Sequence, residues 1–439
     1  MIGSRSGTSR TVGAKHVAAR HSGTVAMTII AVALVLGAIR TVPCLNGGVD
    51  TRALWTTQCY SDIPLFYVGH GLHLDFGWFG GADPRFPAIE YPALLALFIE
   101  AMAKLTHLVV RIVDGRLPDM AAAPATLARD TGFYLAVSSV VLIGVALAAA
   151  HLLGRLIPRS AWVVLATVTA PLVVLEPLVN WDVLPVLAVI VALLAWRNAR
   201  WGWFGVAVGA GIALKVYPVL MLGAAVALGL RRRQWRMVLI PIVAASAVWL
   251  AANAPSFLLH PDRWLVFWRL NSGRPADFGS LWVAARIGGL AVPTGAINLI
   301  YAVGMMLASL VVLIVALRVR REPTMAELSL VLLVAFLALN KVYSPQYSLW
   351  LLPFVAVSFS ALPWVAVWAA AEVTYFATIW HHIVRVDIDQ VQGPDKVYVG
   401  AIGLRVLVQC LLAGVVLVRY LRPGRDPALL EGPRKSVAE

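Results

Sequence analysis

Apolar runs close to 20 residues long recur from one end of this 439-residue chain to the other. A helix of about 20 such residues matches the hydrocarbon thickness of a bilayer. In lipid the backbone must satisfy its own hydrogen bonds, which leaves only helices and closed barrels. Barrel strands alternate between a lipid face and a lumen face. These segments are apolar all round, so a barrel is excluded. Hydrophobic residues make up 60% of the chain and charged ones 13%. Soluble domains hold about 45–50% and about 25%. Soluble doubly wound domains, TIM barrels, disulfide scaffolds and disordered chains are therefore out, and the expected class is an all-α polytopic membrane protein. The three cysteines, Cys44, Cys59 and Cys410, make no framework. Cys44 and Cys59 can pair if both face an oxidising compartment.

The net charge of +14 has a position as well as a size. It clusters between apolar runs: Arg197 and Arg200; Arg231, Arg232, Arg233 and Arg236; Arg318, Arg320 and Arg321; Arg419, Arg422 and Arg425. That is the positive-inside pattern. No nucleic-acid-binding spacing accompanies it, so nucleic acid is not an expected partner. Residues 1–23 read as a disordered basic cytoplasmic tail, 24–420 as the transmembrane domain and 421–439 as a second cytoplasmic tail. The run at 24–42 is too long, and too poor in a small-residue cleavage site, for a signal peptide. Residues 43–87 form an exterior loop rich in Gly, Asp, Pro and aromatic residues.

Thirteen apolar segments can be counted, whereas a chain with both termini inside needs an even number. The misfit lies at 88–130: either 88–112 re-enters without crossing, or a short pair elsewhere is one helix. At roughly 20 residues each, about 12 crossings are expected, some broken or re-entrant where they line a cavity. The scarce acids then fall largely outside, beside the stretch 260–280 and the stretch Asn340 to Gln346.

Several of these polar residues can carry chemistry. Asp62 sits just after the first helix, where an acid is costly unless paired, hydrated or employed. It is placed to take a proton from a sugar hydroxyl as general base; its plainer reading is a hydrated loop acid or helix cap. Asp50 competes with it. Glu90 and Tyr91 precede Pro92, and an acid and a proline are also ordinary helix-start residues. Asn180 and Asp182 start another segment, where Asp182 reads equally as an N-cap or as a ligand of sugar hydroxyls or a metal.

Lys215 lies between two apolar halves and is read either as snorkelling or as a contact to a lipid phosphate. Arg269, Asn271 and Arg274 lie among interface aromatics, where the two arginines have the donor geometry to clamp a phosphate. Lys341, Tyr343 and Gln346 precede a helix and suit phosphate or sugar. His107, in an apolar run, reads as a satisfied histidine, and the pair His381 and His382 is a weak metal signal. No HExxH, paired CxxC, Walker A loop or GxGxxG after a strand is present, so ATP-driven transport and soluble nucleotide chemistry lose their support.

Taken in order, these motifs resemble the actinobacterial members of membrane glycosyltransferase family 87, which have the GT-C fold. The likeness lies in Asp62 with Tyr67 and Gly71 beyond, then Glu90-Tyr91-Pro92, Asn180-Trp181-Asp182 and Lys215-Val216-Tyr217-Pro218. It continues through Phe267 to Asn271 and Asn340 to Tyr347, and so covers roughly 24–420. The resemblance implies a GT-C-like fold and a polyprenyl-phosphate-linked sugar donor, with mannose the first expectation and arabinose or another pentose open. It implies inverting transfer to a glycolipid, polysaccharide or protein of the cell envelope, at the exterior face of the cell membrane. Asp62 matches the family's catalytic base. Lys215, Arg269, Arg274 and Lys341 are then candidates for the donor phosphate. Asp50, Tyr67, Glu90, Tyr91, Asn180, Asp182, Asn271, Tyr343 and Gln346 are candidates for sugar or acceptor. No cofactor is required, and a divalent metal is compatible. The Glu before Tyr-Pro departs from the phosphatidylinositol mannosyltransferases and leaves the acceptor open.

The rival reading is a secondary transporter or lipid flippase of the envelope. A transporter buries its polar residues at mid-depth between internal repeats, and no clear repeat is present. A transferase gathers them at an exterior mouth beside a lipid-sized groove.

Overall fold

The computed structural model describes residues 7–46, 51–74, 85–116, 123–359 and 361–421. Every regular element among them is helical. The chain enters through α1 (Gly7–Thr41), whose first part occupies most of the stretch expected as a tail. The loop that follows holds three short helices, α2 (Pro43–Asn46), α3 (Thr51–Thr56) and α4 (Asp62–Gly69). Then come α5 (Ala93–Asp114), α6 (Pro124–Leu153), α7 (Arg159–Leu175), α8 (Val183–Arg197), α9 (Trp201–Leu214), α10 (Leu220–Arg232) and α11 (Arg236–Leu259). Two more short helices follow, α12 (Pro261–Gly273) and α13 (Leu281–Ile287). The chain closes with α14 (Thr294–Arg318), α15 (Met325–Leu339), α16 (Ser348–Ser358), α17 (Leu362–Ile383) and α18 (Lys396–Leu421).

Seven helices among the described residues are long and apolar enough to cross a membrane, and four shorter apolar ones accompany them. The bundle is therefore a multi-span, membrane-type helical assembly. Small residues let its helices approach. Gly205 and Gly209, four residues apart on α9, lie against the α11 backbone; a Cβ on either would come within 2.5 Å of the carbonyl of Pro241 or Ala245. This is close packing through a small-xxx-small stripe, the usual route to helix association where lipid competes for apolar contact.

The charged loops meet at one end. Arg197 donates to the Arg155 carbonyl at 2.7 Å. Arg231 reaches the carbonyls of Val319 (2.9 Å) and Arg320 (3.1 Å). Arg232 pairs with Glu322 at 2.5 Å, and Arg419 donates to the Ser358 carbonyl at 2.9 Å. Helices α8, α9 and α10 run to and fro between this end and the opposite one, where Asp182 and Lys215 lie.

α5 has the length and composition of a span, yet it crosses α6 steeply. Its C-terminal turn meets the start of α6 through Asp114 with Arg129, and Arg116 just beyond it pairs with Asp130. Fifteen residues earlier, the Ile99 carbonyl accepts the hydroxyl of Tyr134, only four or five residues along α6. Tyr134 stacks on Tyr67 of α4 at 4.6 Å, and Tyr91, just before α5, packs on Phe66 of the same short helix at 5.3 Å. Both ends of α5 therefore lie at the end of the bundle that carries Asp62.

Candidate functional site

The start of α4 is fastened to the turn between α7 and α8. Ser61 caps α4 by accepting from the Ile63 amide, and its own hydroxyl donates to the Leu178 carbonyl at 2.6 Å. The Asp62 amide donates to the Val179 carbonyl at 2.7 Å. Because Ser61 does the capping, the Asp62 carboxylate is left for other work. It accepts the Tyr60 hydroxyl at 2.5 Å. The Tyr60 ring packs on both Trp55 (4.7 Å) and Trp380 (5.1 Å), which also stack on each other at 5.5 Å. One residue earlier, Cys59 is joined to Cys44 in a disulfide, the pairing allowed for an oxidising compartment.

Asp182 stands next in the same turn. Its amide donates to the Asn180 side chain at 2.9 Å, a local turn hydrogen bond. It occupies the N-cap position of α8, but its carboxylate caps nothing. Instead it faces the Lys215 ammonium at 3.4 Å, with the Asp182 side chain 1% exposed. Lys215 ends α9 in an extended conformation and is buried, so it does not snorkel. Its ammonium lies over the rings of Tyr91 (4.6 Å), Tyr347 (5.8 Å) and Trp350 (5.9 Å). Trp350 is stacked in turn between Tyr347 (3.8 Å) and Tyr217 (4.3 Å). This is an aromatic cage around a cation that is also ion-paired.

Burial pushes the Asp62 carboxyl above the usual aspartate range, against the pull of the Tyr60 hydroxyl and the Lys215 charge. Burial raises Asp182 likewise, opposed by Lys215. Burial works to strip the Lys215 proton, but the Asp182 carboxylate, Tyr347 and Asp62 together outweigh it, and the lysine holds its proton more tightly than usual. Polar atoms here are also short of partners: both Asp182 oxygens, the indole nitrogens of Trp181 and Trp350 and the Tyr217 hydroxyl are buried without a hydrogen bond. Such groups are rare in folded proteins, and here they surround one spot.

A narrow groove opens beside the cage. Tyr91 is the shared wall, and Trp249, Asn253, Arg263, Trp264 and Phe267 line the rest. The Trp264 indole donates to Asn253 at 2.8 Å, which fixes α12 against α11. Arg274 lies half-buried within electrostatic reach of Tyr91 and Tyr347, its Nε bonded to Asp277 at 3.0 Å. Burial would release its proton, but Asp277 keeps it above the ordinary value.

The structure thus brings together Asp62, Tyr91, Asn180, Asp182, Lys215 and Arg274. Glu90 is one residue from Tyr91 and faces His70 at 3.4 Å. Gln346 is buried one residue before Tyr347, with its carbonyl oxygen unpaired. Other expected residues stand elsewhere. Arg269 and Asn271 are exposed on α12, and Asn271 donates back to its own helix at Phe267. The Lys341 ammonium ties its loop to Asn298 (2.9 Å) and to the Ser272 carbonyl (3.1 Å). Tyr67 is packed on Tyr134 in the core. The Tyr343 hydroxyl donates to Gln409 at 2.6 Å and its ring is buried. Asp50 lies outside the described residues. Among the described residues no group of three or more His, Cys, Asp or Glu side chains is placed to hold a metal. His382 is paired with Asp395 at 2.9 Å and stacked on Tyr398 at 4.0 Å.

Sequence reading left out Tyr60, Tyr347 and Trp350 as site residues, because aromatics are everywhere in this chain. It also passed over Glu176, Glu372 and Arg405, although lone charges inside apolar runs are a signal in themselves.

The sequence model of glycosyltransferase family 87 matches residues 88–345, more than half of the chain. The chain belongs to glycosyltransferase family 87. No curated protein matches it significantly. Membership makes this a membrane glycosyltransferase, and the matched stretch contains Tyr91, Asp182 and Lys215. Asp62 precedes it, held against the matched region through Leu178 and Val179.

Proposed function

We propose that this family 87 glycosyltransferase moves a sugar, mannose in the first instance, from a polyprenyl-phosphate donor to a cell-envelope acceptor, with inversion, at the exterior face. The observation that carries the proposal is the Asp62 carboxylate. It is half-buried, oriented by Tyr60 and set beside the Asp182–Lys215 pair and an aromatic-lined groove. In the reaction the acceptor oxygen attacks the anomeric carbon and gives its proton to Asp62. The bond from that carbon to the phosphate oxygen breaks, and polyprenyl phosphate leaves. Burial makes Asp62 a stronger base than an exposed aspartate, which suits the task. The charge developing on the leaving oxygen needs fixed positive partners. Arg263 in the groove, Arg274 near Tyr91 and Lys215 over the Tyr91 ring are the candidates for that role.

The exterior assignment is supported from two sides. The basic loops meet at the opposite end of the bundle, and the Cys44–Cys59 disulfide suits an oxidising compartment. With the segment 88–112 kept at the Asp62 end, twelve of the thirteen apolar segments of the sequence remain, an even number, as cytoplasmic N- and C-termini require. Asp62, Asp182 and Lys215 stand at helix ends, at the start of α4, before α8 and after α9, which supports the transferase over the transporter.

The test is the anomeric outcome. Membranes containing the protein are supplied with β-linked polyprenyl-phosphate mannose and an envelope extract, and the product linkage is read by NMR. An α-linked product is expected; a β-linked product, or none, overturns the proposal.

A further inference from the structure

Arg405 has no part in the chemistry above and lies outside the residues matched to the family. Its side chain is fully buried in α18. A cation there is costly unless paired, and Glu372 of α17 pairs with it through Nε at 2.6 Å. That pair alone would balance the charge. Arg405 does more: its two remaining nitrogens donate to three successive backbone carbonyls, Tyr343 (3.0 Å), Ser344 (3.2 Å) and Pro345 (3.1 Å). Its guanidinium plane is sandwiched by the rings of Tyr343 (3.6 Å) and Tyr375 (4.3 Å). Gln409 and Trp368 complete the shell around Glu372.

The clamped turn is the place where two segments of the site cross. The Tyr343 amide donates to the Phe278 carbonyl at 3.0 Å, and the Asp277 amide to the Lys341 carbonyl at 2.8 Å. Gly279 has a φ of +77°, and a Cβ there would lie 2.0 Å from the Tyr343 carbonyl oxygen. One segment carries Arg274. The other carries Tyr347, two residues beyond the last clamped carbonyl, and then Trp350. Both of those rings face Lys215.

We propose that Arg405 is a positioning residue: its fork fixes the crossing of these two segments and thereby the ring wall around Lys215 and the placement of Arg274. The inference rests on the transferase reading for its kinetic arm only. Lysine would keep the charge against Glu372 but has no planar fork to serve three carbonyls. A displacement of about 1 Å in a reacting geometry costs up to about 100-fold in rate.

The test uses the full-length protein in detergent or nanodiscs with polyprenyl-phosphate mannose as donor. Two variants are needed, Arg405→Lys and the double variant R405M/E372Q. The double variant removes both members of the ion pair, so a partner of that pair left uncompensated cannot explain its behaviour. In both, kcat per folded molecule should fall about 10- to 100-fold, with a smaller change in donor KM. In both, amide hydrogen exchange should speed up at 341–350 and stay unchanged in α8 and α9. Wild-type kcat, or unchanged exchange at 341–350, in the double variant overturns the proposal. If the wild type transfers no sugar, the transferase reading fails, and the exchange arm still decides the clamp.

Discussion

Replacing Lys215 with methionine distinguishes two jobs for that lysine. Its ammonium lies 3.4 Å from Asp182, whose side chain is 1% exposed. At an effective dielectric of about 20, that separation corresponds to an attraction of about 5 kcal/mol. Desolvation of both groups offsets most of it, so the pair contributes little net stability. Removing one partner is different, because the other charge stays buried and uncompensated, at a cost of about 3–5 kcal/mol. Lys215→Met and Asp182→Asn should each show a loss of this size. The double variant K215M/D182N, with neither charge left uncompensated, should lose less than either single variant. The assay is thermal unfolding of the purified protein at neutral pH. At about 2.1 cal/mol/K of unfolding entropy per residue, 1 kcal/mol is about 1 °C in a chain of this length. Each single variant should therefore lose about 3–5 °C. If Lys215→Met unfolds with the wild type and the two changes add, Lys215 is not the counter-ion of Asp182. The cage would then be open to a lipid phosphate, as the motif alone suggested.

Three further outcomes follow from the same geometry. Asp62 works deprotonated, and burial raises it, so kcat/KM should fall on acidification through a value above the usual aspartate range. Lys215→Met and Tyr60→Phe should move that limb up, since both groups favour the carboxylate, and Asp182→Asn should move it down; a limb unmoved by all three contradicts the assignment. Reducing the Cys44–Cys59 disulfide, or replacing both cysteines with serine, should lower activity several-fold by freeing the segment that holds Tyr60 and Asp62; full activity after reduction, shown by mass spectrometry, contradicts this. Trp264→Ala should raise the donor KM roughly 10-fold, as expected for losing about 1.5 kcal/mol of apolar contact, with kcat nearly kept; an unchanged KM removes the groove from donor binding.

The fold class was legible because lipid leaves few choices for an all-apolar 20-residue run. The arginine clusters were legible as a group, and their loops meet at one end through hydrogen bonds. The odd segment count was visible too, but its cause was not. α5 is apolar enough to cross, and only its contacts with Tyr134 and Asp130 show it lying across α6. At the site, Asp62, Asp182 and Lys215 stood out because charge is scarce. What each one faces was not readable. Asp182 sits at an N-cap position without capping, and Lys215 looks like a phosphate contact while holding a carboxylate. Arg269 and Lys341 read alike in sequence to Arg274, yet helix rotation leaves one exposed and draws the other into a tie between loops. Arg405 was missed for the opposite reason: a single charge in a long apolar helix carries no motif, and its three carbonyl partners lie about 60 residues away in sequence.

The central claim is that Asp62 takes the acceptor proton. The direct measurement is sugar transfer from radiolabelled polyprenyl-phosphate mannose by wild type and Asp62→Asn, at matched levels of folded protein in the membrane. Asparagine keeps the shape and still accepts the Tyr60 hydroxyl, but it cannot take the proton. The account predicts transfer by the wild type and a loss of about 100-fold or more in the variant, within the range for general base catalysis, with donor binding kept. Transfer at the wild-type rate by Asp62→Asn would contradict it.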